Sequence, residues 1–170
     1  MRGWLLDTNV ISELRKARPN QNVVAFMEAQ PGGVLYVSEI TFGEIRYGIA
    51  QIAEPSRRAD LQFWLDHSMR PLFAGRVTPI TEDVIVRWKM MVVDGQKRGH
   101  TFGQPDLFIA ATAALEDLVV VSRDITQFVT AGVPVFDPWE SLLHARSKTV
   151  AIDNPVTASA VTAALGKRQR

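Results

Sequence analysis

Four short runs rich in Val and Leu punctuate this chain: "GWLL" at 3–6, "VLYVS" at 34–38, "LVVVS" at 118–122 and "VPVF" at 133–136. Runs this apolar, without alternation, suit strands buried on both faces. Longer segments between them repeat their apolar residues at three and four. Phe42, Ile45, Ile49 and Ile52 make one stripe, and Val84, Ile85, Trp88, Met91 and Val92 a second. Leu61, Trp64, Leu65 and Leu72 make a third. "PDLFIAATAALEDL" begins with Pro105 at a helix's first turn and is apolar nearly all round, which predicts a buried helix. Strands separated by helices predict an α/β fold around a mostly parallel sheet.

The 170 residues suffice for one domain with a substantial core. With no cysteine, disulfides, thiolate catalysis, zinc–thiolate sites and iron–sulfur clusters are excluded. No apolar run reaches the ~18 residues of a membrane span. "MRGWLLDTN" lacks the apolar core and cleavage site of a signal peptide. The expectation is a cytoplasmic protein with no membrane partner. Charge is unevenly spread. Residues 1–144 carry 14 Lys/Arg against 17 Asp/Glu, whereas residues 145–170 carry five against Asp153 alone. The slightly acidic body lacks the basic footprint of a nucleic-acid binder, so any such function needs a local patch or cations. The basic stretch 145–170 has no large aromatic residue and reads as an extension, flexible or partner-dependent, to a domain spanning 1–144.

Ligands of open α/β sheets sit beyond the carboxyl ends of the strands. Asp7 follows "WLL", and Asp124 follows "VVVSR". Glu44 lies a turn into the helix after "LYVS", and Asp106 opens the buried helix. Each acid has an ordinary structural explanation. Asp7 and Asp124 suit helix caps, Thr41-Phe42-Gly43-Glu44 fits a capping box, and Asp106 suits the positive end of a helix dipole. Thr81-Glu82-Asp83 is read as capping and nothing more. Together, however, four carboxylates at one sheet edge repel each other, and some would have to stay protonated. A divalent cation removes that conflict. Mg²⁺ and Mn²⁺ prefer hard oxygen ligands, and such sites suit phosphodiester hydrolysis, where the metal activates water and neutralises phosphate charge.

"LLDTNVISE", "SEITFGEIRYGI", "PDLFIAATA" and "VVSRDITQF", in this order, resemble bacterial PIN-domain toxins of the VapC type. "RPLFAGRVTPI" and "VPVFDPWE" are similar to the FitB-like subgroup, and the resemblance spans about residues 3–142. It implies a three-layer α/β/α sandwich and a Mg²⁺- or Mn²⁺-dependent ribonuclease toxin held inactive by an antitoxin. It places the family's acids on Asp7, Glu44, Asp106 and Asp124. The expected ligands are Asp7, Asp106 and Asp124, with Glu44 completing the site directly or through water. Thr8, Asn9 and Ser122 would support them by hydrogen bonds. The third acid follows Pro105, where members of the family often have a small residue. The resemblance further implies a homodimer, an antitoxin helix laid in an apolar groove, and operator DNA bound through the antitoxin.

Arg46 and Arg123, beside two of the acids, are the expected substrate cations. Arg15, Lys16, Arg18, Lys97, Arg98 and His100 are also near the motifs. Phe26, Met27, Ile45, Ile49 and Trp64 are either groove lining or core, with core favoured. His67, His100 and His144 are not at metal-ligand spacing, and the four tryptophans are assigned to the core. Two other functions fit less well. An aspartyl phosphotransferase of the haloacid-dehalogenase type needs a second Asp where Asn9 stands. A non-catalytic antitoxin-docking or nucleic-acid-complex component would not need all four acids.

Overall fold

The computed structural model describes residues 1–145 and 148–166. The chain begins with β1 (Gly3–Leu6), α1 (Thr8–Leu14) and α2 (Gln21–Ala29), then β2 (Leu35–Ser38) and α3 (Glu39–Ala50). Next come α4 (Pro55–Trp64), α5 (Arg70–Leu72), β3 (Val77–Thr78), α6 (Glu82–Lys97) and α7 (Gln104–Leu115). The last elements are β4 (Leu118–Val121), α8 (Ile125–Thr130), β5 (Val135–Asp137), β6 (Leu142–Ala145), β7 (Lys148–Ala151) and α9 (Ala158–Gly166).

The seven strands form one sheet in the order β3-β2-β1-β4-β5-β6-β7. The first five are parallel, and β6 and β7 run antiparallel. Alternate strand residues feed opposite faces. Trp4, Leu6, Val37, Val119, Val121 and Phe136 pack toward α1, α2 and α3. Leu5, Val120 and Val135 pack toward α6, α7 and α8. The expected three-layer α/β/α sandwich is therefore present, and its sheet is mostly parallel.

This strand order positions the site. The chain winds from β1 outward through β2 and β3, then returns to start the other half at β4. The reversal lies between β1 and β4, and ligand crevices of open sheets form at such a switch point. Leu6 pairs with Val37 on one side and Val121 on the other. Asp7 and Ser122 therefore leave the sheet side by side.

Two helix stripes need correction. The 61–72 stripe is not one helix, because a π-helical turn at Leu65–Met69 separates α4 from α5. The wider turn rotates the following residues, so Leu65 is buried whereas Leu72 is exposed. On α6, Val84 and Met91 are buried but Ile85 faces outward.

Residues 148–166, part of the stretch read as a flexible or partner-dependent extension, pack onto the core. Ile152, Val156 and Val161 are buried in the same apolar cluster as Trp4 and Phe26. Gln30 joins the two segments: its Oε1 accepts from Trp4 Nε1 at 2.9 Å, and its Nε2 donates to Val156 O at 2.8 Å. The helix is rich in alanine, so a few apolar side chains suffice to seat it. Arg146, Lys167, Arg168 and Arg170 of the basic stretch lie outside the described residues. Val161→Asp would bury an unpaired charge and is expected to cost about 3 kcal/mol or more, measured as a lower urea midpoint. A tail detached from the core would tolerate the change.

Candidate metal centre

Asp7 sits where β1 ends and α1 begins, and its carboxylate is buried. Oδ1 accepts from Thr8 N at 2.7 Å. Oδ2 accepts from Ser122 Oγ at 2.6 Å and from Asn9 Nδ2 at 2.9 Å. Asp7 is thus both the helix cap and the centre of a polar network. Ser122 Oγ also accepts from Asn9 Nδ2 and from Asp124 N, each at 2.9 Å. Its one proton and two lone pairs are then all used. Ser122 locks the ends of β1 and β4 together.

Glu44 is not in a capping box. Ser38 caps α3 by accepting from Thr41 N at 3.0 Å, and Thr41 Oγ1 turns to Ser38 Oγ and to Leu6 O. Glu44, one turn further, instead accepts from Thr8 Oγ1 at 2.6 Å through Oε2. Asp124 occupies the residue before α8 but makes no capping hydrogen bond, which leaves its exposed carboxylate to the solvent edge. Asp106 lies in the first turn of α7. Thr81, by contrast, caps α6 through Val84 N, as expected of it.

The four acids share one electrostatic field. Asp7 is pushed up to about 6, mainly by burial, against hydrogen bonds from Ser122 and Thr8; the charges of Asp106 and Glu44 push it further. Asp106 is also raised, first by burial and then by the charges of Asp124 and Glu44. Such crowding is the signature of a site arranged for something positive.

The donor chemistry fits a hard divalent cation. Every candidate ligand is an oxygen, and the buried Oδ1 of Asn9 has no hydrogen-bond partner among the described residues. Among those residues no group of three or more His, Cys, Asp or Glu is already gathered closely enough to hold a metal ion by side chains alone. Mg²⁺ is suited to such an open arrangement, since it keeps several waters and takes one or two carboxylates.

Of the two expected substrate cations, Arg123 stands beside Asp124 with its guanidinium 5.5 Å from the Trp139 ring centroid. Arg46 is exposed and lines a groove between α3 and α4 with Ile49, Pro55, Arg58 and Gln62. Phe26, Ile45 and Ile49 are buried core residues, while Met27 and Trp64 are partly buried against the core. Glu13 was overlooked in sequence. It is a buried acid held by Lys16 Nζ at 2.6 Å and Asn20 N at 2.9 Å, and the Lys16 contact leads in holding it below its usual range. The i,i+3 spacing of Glu13 and Lys16 was the available signal.

Fold and strand-end site together define the class: the PIN domain family profile matches residues 4–132, and this chain belongs to that family. Within it, the chain is of the VapC/FitB toxin type. It is 39% identical over 136 residues to "VapC ribonuclease Y4jK" of Sinorhizobium fredii, covering 80% of this chain and 97% of that one. It is 38% identical over 135 residues to "Toxin FitB" of Neisseria gonorrhoeae, covering 79% and 97%. The crystal structure of FitAcB from Neisseria gonorrhoeae aligns with a TM-score of 0.76 at 38% identity, covering 80% of this chain and 98% of that one. A structure of FitAB bound to an IR36 DNA fragment aligns with a TM-score of 0.75 at 37% identity, covering 80% and 95%.

Proposed function

We propose that this protein is the toxin of a type II toxin–antitoxin pair and a Mg²⁺- or Mn²⁺-dependent endoribonuclease. What supports this reading is the charge coupling that links Asp7, Glu44, Asp106 and Asp124 near the switch point of the sheet, in a chain whose relatives include a named ribonuclease. Asp7, Asp106 and Asp124 would hold the cation. When bound, such an ion lowers the pKa of water and neutralises charge on a phosphodiester. Glu44 has one oxygen engaged by Thr8, and its other oxygen would take a proton from the attacking water. Ser122 and Asn9 aim Asp7. Arg123 would meet the phosphate of the RNA strand.

A cognate antitoxin would inhibit the enzyme, and operator DNA would be bound through that antitoxin, in keeping with the DNA-bound FitAB complex. The groove between α3 and α4, two helices that also expose Tyr47 and Phe63, would seat an antitoxin helix. Two copies of this chain would meet through α6, where Val86, Met90 and Val93 are exposed on one face. Among the described residues no helix is long and apolar enough to cross a membrane.

RNA 5′ ends mapped after expression of the wild type and Asp7→Asn, in a host without the antitoxin, test the function. New ends at defined sites are expected with the wild type alone. Identical end profiles from both proteins would refute it. Ser122→Ala gives a graded check. It removes the 2.6 Å hydrogen bond to Asp7, and a 10- to 100-fold loss of cleavage is expected, as for other supports of metal ligands.

A further inference from the structure

A recess of about 250 Å³ lies between α6 and the start of α7, and Asp106 is on the same first turn of α7 as its lining residue Gln104. Its walls include Trp88, Val92, Gln96, His100, Phe102 and Gln104. Trp88 Nε1 and His100 Nε2 are both buried, and neither has a hydrogen-bond partner among the described residues. A buried polar atom left unpaired costs about 1–3 kcal/mol. Both residues line the recess, whose walls therefore carry unmet polar capacity beside their aromatic surface.

The recess is shaped by aromatic faces. Trp88 stacks on Phe108 with centroids 4.6 Å apart and planes 7° from parallel, and His100 meets Phe102 edge-on at 4.4 Å. Gly95 allows this. A Cβ there would fall 2.4 Å from Phe102 Cε2, so only glycine lets the 99–103 loop fold against α6. His100 N fixes the same loop by donating to Gly95 O at 2.9 Å. Gln96 and Gln104 add side-chain amides, which both donate and accept. Gln104 and Leu107 line the recess, and Asp106 lies between them in the first turn of α7. Lys97 and Arg98 are exposed at the adjoining end of α6.

We propose that this recess receives one unstacked base of the single-stranded RNA, next to the phosphate presented to the acids, and so sets the nucleotide preference of cleavage. Planar walls, unpaired ring nitrogens and two amides suit a base edge, and the flanking cations suit its phosphates. Proteins read single-stranded RNA in this way, by stacking splayed-out bases and bonding their edges. The idea rests on the ribonuclease reading, but its test does not require cleavage.

The test is a metal-free titration of the ¹⁵N-labelled full chain with AMP, GMP, CMP, UMP and ribose 5-phosphate. The reporter is the Trp88 indole N–H resonance, identified by Trp88→Phe or by sequential assignment. At least one nucleotide should shift it in a saturable way, ribose 5-phosphate should not, and Gln104→Leu should weaken the effect several-fold. An indole resonance unmoved by all four nucleotides, or moved equally by ribose 5-phosphate, would overturn the proposal. If the titration fails while Asp7-dependent cleavage persists, only the base recess is wrong. If Mg²⁺ supports no cleavage while the titration succeeds, the ribonuclease reading fails instead.

Discussion

Asp7→Asn will lower Mg²⁺-supported cleavage of single-stranded RNA by on the order of 10²-fold or more, the scale at which removal of one well-placed electrostatic group is felt. Its folding stability at pH 7 will change little. The native carboxylate is buried, and holding it ionised opposes folding; a neutral amide removes that cost. In return, Asn loses the charge-assisted bond from Ser122 and sets its own amide against Asn9 Nδ2. Together those losses are about 2–6 kcal/mol, the same scale as the burial cost of about 3 kcal/mol that the substitution removes, so the two oppose each other. Parallel thermal melts and cleavage assays check both halves. Equal cleavage by wild type and variant would place the chemistry elsewhere. A variant that loses activity only because it unfolds would show it in the melt.

The metal-free wild type will lose stability relative to Asp7→Asn as pH rises. Asp7 ionises near 3.8 in the unfolded chain but near 6 in the folded one. Between those values the native state holds more protons, so the unfolding free energy falls with increasing pH. The shift corresponds to about 3 kcal/mol, nearly all of it expressed between about pH 4 and 7. Urea unfolding of both proteins across that range measures it. Because the hydrogen bonds lost in the variant give a pH-independent offset, the slope of the difference reports Asp7 together with its charge coupling to Asp106 and Glu44. A flat difference would mean that Asp7 is not held in a repulsive, buried cluster.

The main strands were legible because runs such as "LVVV" are short, apolar at every position and rich in β-branched Val, as strands of a sheet covered on both faces are. Pro105 marked α7 equally well. The candidate acids were legible because a parallel sheet brings its strand ends to one edge, and the pairing of β1 with β4 then sets Asp7 beside Ser122, two residues before Asp124. Their hydrogen bonds were not. Glu44 three residues after Thr41 looked like a capping box, but Ser38 had already taken the cap, and Thr8, 36 positions away, claimed the carboxylate. Sequence spacing sees only the local partner.

Other features escaped for similar reasons. β3 has two residues and carries no periodic signal of its own. In β7 every residue is exposed, so no apolar run marks the strand. α9 is made of small residues, and its seat depends on Val161 meeting a core built by Trp4 and Phe26 far earlier in the chain. The recess at Trp88 was equally hidden. Trp88 lay on an apolar stripe and was assigned to the core, whereas it also lines a recess with His100 and Phe102 of the following loop.

The central claim is that these carboxylates hold a divalent cation for RNA hydrolysis. Calorimetric titration of Mn²⁺ into the full chain and into Asp106→Asn, at a pH above the raised value of Asp7, tests it most directly. The wild type should bind Mn²⁺ with a measurable heat that disappears in Asp106→Asn, with both proteins folded. Equal Mn²⁺ binding by the two, or no binding by a wild type that still cleaves RNA in excess chelator, would contradict the account.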